Sequence, residues 1–220
     1  MISLKDKLIE FANKEHGTVE ELTEAFAELA PYFLSGGYIK VREDYRVYPT
    51  TVEFYFHAET GAVKDPIVYH RNNKYVDGDI PYFPLMTLHA HDSGYDITFE
   101  NPGKKYRASV LIRKFQIWDV KQKCWLKWGT EKQKFRRYIE NSDRTPINTQ
   151  VLYLKYLLNG FPINGECLVS WVDAKEVIIL NEIDSKPRKG VYEYDAKGNK
   201  QTTKDTRPWS FSRKEFIMIR

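Results

Sequence analysis

The histidines of this 220-residue chain are concentrated in one region. Four of the five lie between residues 57 and 91, and two of them, His89 and His91, are separated by a single residue. Residues that alternate along a β-strand point to the same face, so an extended segment would place this pair together. Imidazole binds transition metals and also titrates near neutral pH. The cluster predicts a metal site or a polar pocket, with structural histidines as the alternative.

A second set of polar side chains follows the same alternation. Glu53, Tyr55 and His57 occupy every second position of TTVEFYFH, which predicts that all three face one side of a strand. A glutamate in an apolar strand can serve as a general base when it reaches a substrate proton. The alternative is a carboxylate that faces solvent or forms a salt bridge with Arg42 or Arg46.

Arg113 stands alone among apolar residues in the segment SVLIRKF. An unpaired buried guanidinium is costly, because its charge loses the surrounding water. We therefore expect Arg113 to pair with a carboxylate or with a ligand anion. Asp96 and Glu53 are the acids that the strand pattern places within reach.

Residues 121–137 combine positive charge with aromatic side chains. The segment KQKCWLKWGTEKQKFRR holds 7 basic residues and one acidic residue, with two tryptophans and a phenylalanine between them. Basic side chains neutralise phosphates and aromatic rings stack on bases, so this pattern is compatible with nucleic-acid binding. A solvated charged face is the alternative. The candidate contacts are Lys127, Trp128, Lys134, Arg136 and Arg137.

The composition narrows the class of protein. The net charge of +4 permits a nucleic-acid partner without requiring one. No glycine-rich phosphate loop and no Gly-x-Ser-x-Gly elbow occurs, so kinases, dehydrogenases and α/β-hydrolases are poorly supported and no cofactor is expected. The N-terminus does not resemble a signal peptide, no run of about 18 apolar residues occurs, and the cysteines form no CxxC motif. We expect a cytoplasmic protein without a membrane partner, and the sequence does not indicate its oligomeric state.

Two helices are predicted at the beginning of the chain. Apolar residues recur at helical spacing over residues 3–15. Thr18 and Glu21 form a capping-box pattern that begins a second helix, and Pro31 is expected to end that helix near Ala30. This helical hairpin is expected to pack on the remainder of the chain.

From Tyr38 onward the hydrophobic period changes from helical to two. Strand-like segments follow one another, separated by Gly, Pro and Asn/Asp clusters. Residues 147–159 have a helical pattern, and residues 193–206 are polar enough to predict an exposed loop. The predicted fold is α+β, with helices at the edge of a strongly bent antiparallel sheet or partial β-barrel. We expect a helical hairpin over residues 1–35 and one α+β domain over residues 36–220.

Four segments, in this order, resemble those of an enzyme family, the alkylpurine (3-methyladenine) DNA glycosylases of the mammalian type. They are TTVEFYFHAETGAVKDPIVYHR, MTLHAH, YDITF with ASVLIRKFQ, and KPRKGV with RPWSF. The first is similar to the strand that carries the family's catalytic glutamate, and the third to its asparagine-containing and Leu-Ile-Arg strands. The resemblance implies a bent antiparallel sheet with a pocket that receives a base flipped out of DNA.

The resemblance also assigns roles to individual residues. Arg113 matches the arginine of the Leu-Ile-Arg segment near the active site, and His70 matches the histidine that contacts the flipped base. Asp96 falls where the family has a pocket asparagine, and His91 replaces a pocket tyrosine.

The chain departs from the family at the element that carries the chemistry. The family's water-activating glutamate aligns with Tyr55, and its base-stacking tyrosine aligns with His57. Glu53 lies two residues earlier on the same face and would need a different register or backbone to take over the role. Asp96 or Asp65 could substitute for it.

The expected function is that of a glycosylase-like protein that acts on or binds a modified nucleobase in DNA or a nucleotide. One alternative is a non-catalytic protein that binds nucleic acid or a small ligand on the same scaffold. Another is a metal-dependent enzyme that uses the histidine cluster. The candidate catalytic residues are Glu53, Asp96 and Arg113, and the candidate ligand-binding residues are Tyr55, His57, His70, Arg71 and His91.

Overall fold

The structure is a computed structural model. It describes residues 2–41, 43–65, 68, 81–91, 94–125, 169–175, 182–194, 197, 199–202 and 204–214. Within these ranges lie two helices and eleven strands. The fold is of the α+β class, with an N-terminal helical pair and a strongly curled antiparallel sheet that forms a half-barrel. This confirms the fold class predicted from the sequence.

The two helices begin at side-chain caps. Helix α1 covers Leu4–Asn13 and helix α2 covers Val19–Ser35. Ser3 caps α1 and Thr18 caps α2, and each forms a capping box with the acidic residue three positions later. The capping box predicted at the start of the second helix is confirmed.

Helix α2 does not end at Pro31, contrary to the prediction. Pro31 lies inside the helix, which continues for another turn to Ser35. Proline lacks the backbone N–H that an interior position normally donates, and it usually breaks a helix. Phe33 and Leu34 of the added turn are both fully buried. Packing of these two side chains outweighs the local preference of proline, because tertiary contacts supply most helical stability.

In the described residues, nine strands form one sheet and two form a separate hairpin. The strands of the sheet are β1 (Gly37–Val41), β2 (Tyr45–Ala58), β3 (Leu88–His91), β4 (Gly94–Thr98), β5 (Tyr106–Asp119), β6 (Cys124–Trp125), β7 (Val169–Asp173), β8 (Ile183–Lys186) and β11 (Ser210–Arg213). The hairpin consists of β9 (Tyr192–Tyr194) and β10 (Lys200–Thr202). The sheet order is β3-β4-β5-β2-β1-β7, with β11 on β2, β8 on β11 and β6 on β5.

Strands β2 and β5 form the centre of the sheet and pair over their whole length. The other edge of β2 is shared by β1, which pairs with its first half, and β11, which pairs with its second half. Between the two halves the β2–β5 register shifts, so that Thr50 and Arg113 are skipped in the ladder. An extra residue bends a strand and redirects its side chain. The bulge therefore determines where Arg113 points.

The helical pair packs on one face of the sheet through aromatic side chains. Phe26 of α2 stacks on Phe54 of β2 at a ring-centroid distance of 4.5 Å and meets Trp209 edge-on at 5.0 Å. The Trp209 indole N–H donates to the Thr23 hydroxyl at 2.9 Å, which ties the segment before β11 to α2. Helices and sheet share one hydrophobic core. Since this core covers one face of β2, the polar residues of that strand lie on the other.

Residues 193–206 and 147–159 are two further segments for which the sequence predicts a structure. The polar segment 193–206, predicted as an exposed loop, contains most of β9 and all of β10, which pair with each other. Tyr192 and Thr202 are opposite one another, and both residue types favour strands, so a short hairpin forms despite the polar composition. The helix predicted at residues 147–159 lies outside the described residues.

Replacing Phe26 with alanine should lower the free energy of unfolding by about 3–5 kcal/mol, because a buried aromatic ring is lost and a cavity remains. Ile9 of α1 is 42% exposed and provides the control. Ile9→Ala should change the stability by less than about 0.5 kcal/mol. Urea unfolding followed by circular dichroism measures both. Similar small effects would contradict the packing of α2 on the sheet.

Candidate functional site

The face of β2 that points away from the helices is polar and buried. Glu53, Tyr55 and His57 lie on it, and all three are buried, so the alternation predicted from the sequence is confirmed. Across the ladder they face three residues of β5, which are Leu111, Ser109 and Arg107. We call this surface of β2 and β5 the polar face.

An ion pair between Glu53 and Arg113 occupies the centre of the polar face. The Arg113 Nε–H donates to Glu53 Oε2 at 2.7 Å, and the Tyr55 hydroxyl donates to the same oxygen at 3.1 Å. Glu53 is thus one of the two acids expected to pair with Arg113. No donor from the described part of the chain reaches Oε1 of Glu53. That oxygen is available to accept a hydrogen bond from water or a ligand.

Arg113 connects the buried pair with the surface. Its side chain is 19% exposed, and Nη2 donates to the carbonyl oxygen of Lys189 at 3.0 Å. Burial works to lower the pKa of Arg113, but Glu53, Tyr55 and Asp96 together outweigh it and raise that pKa above its ordinary value. The guanidinium therefore stays charged, and part of the Arg113 side chain remains accessible.

Asp96 approaches this pair from β4. It is buried, lies across the ladder from His89, and accepts a hydrogen bond from the Ser109 hydroxyl at 3.2 Å. Its charge also contributes to the raised pKa of Arg113, which places both groups in one electrostatic neighbourhood. The structure therefore brings together the three residues predicted as catalytic, Glu53, Asp96 and Arg113.

Tyr55 and His57 have firm contacts within the protein. Burial and the neighbouring Glu53 charge raise the pKa of Tyr55 well above its ordinary value, so the phenol keeps its proton at neutral pH. His57 Nδ1 accepts a hydrogen bond from the backbone N–H of Asp65 at 3.0 Å. One ring nitrogen of His57 is therefore occupied by a hydrogen bond to the loop that follows β2.

A second ion-pair network, which the sequence did not predict, lies beside Tyr55. The Arg188 side chain is 0% exposed and donates from Nη1 to Asp65 and from Nε to Asp205, both at 2.6 Å. Its guanidinium also lies 4.4 Å from the centroid of the Tyr55 ring. Arg207 donates to the other oxygen of Asp205 at 2.8 Å. These four charges join the loops that border the polar face.

The signal for this network is weak in the sequence. Arg188 lies in KPRKGV, which has no helical or strand period that would predict its burial. Its acidic partners, Asp65 and Asp205, are 123 and 17 positions away along the chain. The only available signal is that KPRKGV is one of the segments that carry the family resemblance.

A third ion-pair group lies at the end of the polar face. Arg107, which is buried, donates to Glu59 at 3.1 Å and to Glu100 at 3.4 Å. Its guanidinium is 4.2 Å from the centroid of the Tyr82 ring. Glu100 in turn accepts the backbone N–H of Phe83 at 2.6 Å. These contacts anchor the segment before β3 beside the polar face.

Several predicted site residues are outside the described part of the chain. His91 belongs to β3 and pairs with Gly94 in the backbone register, but its side chain is not described. The others that lie outside are His70, Arg71, Lys127, Trp128, Lys134, Arg136 and Arg137. Among the side chains that are described, no group of three or more His, Cys, Asp or Glu could hold a metal ion. The metal alternative depends on His70 and His91, so it stays a prediction.

Comparisons with known proteins give no further information about this site. A scan against protein-family models, a search of curated proteins and a search of solved structures each found no match. The resemblance to alkylpurine glycosylases therefore stays a prediction. No helix in the described ranges is long and apolar enough to cross a membrane.

Asp205 should make the stability of the fold depend on pH. Burial works to raise the pKa of Asp205, but the charges and hydrogen bonds of Arg188 and Arg207 together outweigh it and hold that pKa below its ordinary value. Such a carboxyl stabilises the fold above its unfolded-state pKa, and this stabilisation is lost as the pH falls through the folded-state pKa. Asp205→Asn should lower the free energy of unfolding at neutral pH by about 3 kcal/mol.

The deficit of Asp205→Asn should begin to shrink below about pH 4, where the carboxyl of the unfolded wild type takes up a proton. It is lost only at the lower pH at which the folded-state carboxyl is also protonated. Urea unfolding at about pH 7 and about pH 3 measures it. Asp184→Asn, at an exposed pair with Lys214, is the control and should change the stability by less than about 1 kcal/mol. An equal deficit for Asp205→Asn at both pH values would contradict the role of Asp205.

Proposed function

We propose that the chain is a glycosylase-like protein that binds a modified nucleobase, in DNA or in a nucleotide, at the polar face. The observation that carries this proposal is the Glu53–Arg113 pair, in which the cation is partly exposed and one carboxylate oxygen accepts no hydrogen bond from the described residues. Asp96 lies in the same electrostatic neighbourhood. Binding sites for small ligands typically combine a few such polar groups with apolar and aromatic walls.

The chemistry of a nucleobase fits these groups. Ring nitrogens and carbonyl oxygens of a base accept hydrogen bonds, which a guanidinium such as that of Arg113 can donate. Exocyclic amino groups donate hydrogen bonds, which a carboxylate such as Asp96 can accept. A base must leave the duplex before it can reach groups on a largely buried face, so the DNA would be bound with the base flipped out.

In the catalytic form of the proposal, Glu53 activates a water molecule. The water oxygen forms a bond with C1′ of the sugar while the C1′–N bond breaks, and the electron pair of that bond leaves with the base. Glu53 Oε1 accepts one proton of the water, and a neutral base takes up a proton from solvent as it departs. Tyr55 and Arg113 hold Oε2 of the same carboxylate, which orients Oε1 for this step.

A second candidate function is binding without catalysis. Tyr55 stands where the resembled family has its water-activating glutamate, and its phenol retains its proton at neutral pH. It therefore cannot accept a proton from water as a carboxylate does. In this form of the proposal the polar face recognises the base, and no bond is broken.

A DNA or nucleotide partner and a cytoplasmic setting are further parts of the proposal. The net charge of +4 and the basic, aromatic segment 121–137 support an anionic partner. Cys124 is exposed and its thiol is free, which suits a reducing compartment.

Base release from duplex oligonucleotides tests the proposal. Duplexes that carry one alkylated or one deaminated base are incubated with the protein, and binding and release of the free base are measured separately. We expect wild-type protein to bind these duplexes more tightly than an undamaged duplex. If the protein is catalytic, Glu53→Gln should reduce release by about 100-fold or more, since general-base catalysis contributes on that order.

Glu28→Gln is the matched control, because Glu28 is an exposed carboxylate of α2. It should change neither binding nor release. Glu53→Gln leaves Arg113 without its carboxylate partner, which could destabilise the fold. Circular dichroism of this variant therefore establishes whether it is folded. Binding without release identifies the non-catalytic form. A lack of preference for any damaged duplex or free nucleotide would contradict the proposal as a whole.

A further inference from the structure

Arg213 lies at a junction in the sheet. It is the last residue of β11, and Ser212 before it pairs with Thr51 of β2. Arg213 is therefore level with Thr50, where β2 has its bulge and exchanges β11 for β1 as its neighbour. At a bulge the extra residue is left out of the backbone ladder, and the local pairing of the strands is disrupted.

The Arg213 guanidinium is buried without an acceptor. The residue is 7% exposed, and within the described part of the chain none of its three nitrogens has a hydrogen-bond partner. Arg107 and Arg188 are buried to a similar degree, but both donate to carboxylates. An isolated buried guanidinium is expensive, because each of its N–H groups has lost water without a replacement.

No carboxylate of the described residues acts on Arg213. Burial lowers the pKa of Arg213 to about 10, and Tyr48 is the one ionisable group that opposes this effect. The guanidinium is still protonated at neutral pH, so a full positive charge stays in this place. A negatively charged ligand would satisfy the unpaired N–H groups and neutralise the charge, since it supplies both acceptors and a counter-charge.

Tyr48 is suited to be the second donor at this place. Burial is the main cause that raises the pKa of Tyr48, so its hydroxyl stays protonated. The Arg46 and Arg213 charges both favour the ionised form of Tyr48 but do not reverse this shift. A protonated phenol can donate a hydrogen bond.

We propose that Arg213 forms an oxyanion site that takes a carboxylate or phosphate group, with the Tyr48 hydroxyl as a second donor. Both groups present oxygens at the spacing of the guanidinium fork, and both can be bound by two parallel hydrogen bonds. The site uses none of Glu53, Asp96 and Arg113. The anion site can therefore be tested independently of nucleobase binding at the polar face.

Thermal unfolding with inorganic phosphate and with acetate, at ionic strength matched by sodium chloride, tests the site. We expect the melting temperature of the wild type to rise with at least one of the two anions beyond the chloride control, since a ligand of the folded state stabilises it. The anion that acts distinguishes a phosphate site from a carboxylate site. Phosphorus NMR line broadening or calorimetry then gives the affinity.

Arg213→Met keeps the length of the side chain and removes its charge. It should weaken the apparent anion affinity by about tenfold or more, the loss expected for a charge-assisted hydrogen-bond pair. In anion-free buffer it should be at least as stable as the wild type, because the unpaired buried charge is gone. Arg213→Lys retains the charge but loses the fork, so it should bind with intermediate affinity.

Lys186→Met is the matched control, since it removes one exposed positive charge from the adjoining strand β8. It should leave the anion effect unchanged. The proposal is overturned if neither anion stabilises the wild type, if Arg213→Met retains the effect, or if Lys186→Met loses as much. If Arg213→Met does not fold, the anion affinity of Arg213→Lys tests the proposal instead. Wild-type affinity in Arg213→Lys would then contradict an anion site at Arg213.

Discussion

Strand β2 is buried on both faces, and the rest of the structure depends on this constraint. One face packs on the helices, while the other carries Glu53 and its polar neighbours away from water. A charge in that position must find a partner within the fold, because removal from water otherwise costs several kcal/mol, on the order estimated for buried ions. The cations come from two segments, since Arg107 and Arg113 belong to β5 and Arg188 follows β8. Pairing them with acids joins the strands and loops around the polar face.

The three arginines differ in how accessible their side chains are to a ligand. Arg188 is sealed between two aspartates and two aromatic rings, so its role is to hold loops together. Arg113 is paired with Glu53 but keeps part of its guanidinium at the surface. A ligand can reach a partly exposed cation without breaking a buried network. This difference is the reason why we propose recognition at Arg113 and assign structural support to Arg188.

The sequence predicts the fold where local signals and burial agree. Capping at Thr18 and the alternation of Glu53, Tyr55 and His57 can be predicted because each depends on residues close together in the chain. The need of Arg113 for an acid can also be predicted, since a lone arginine in an apolar strand requires one. Pro31 predicts the wrong helix end because packing of the next turn overrides its local preference. The burial of Arg188 cannot be predicted, because its partners are distant and its segment has no hydrophobic period.

The most direct test of the account is an NMR titration that follows the arginine Nε–H signals. The titrant is a duplex with one alkylated or deaminated base, and the free nucleotides serve as smaller probes. If the polar face recognises the base, the Arg113 signal shifts on binding, whereas the signal of the sealed Arg188 stays in place. Binding that leaves Arg113 unchanged, or a titration in which no arginine signal moves, would contradict a ligand site at the Glu53–Arg113 pair.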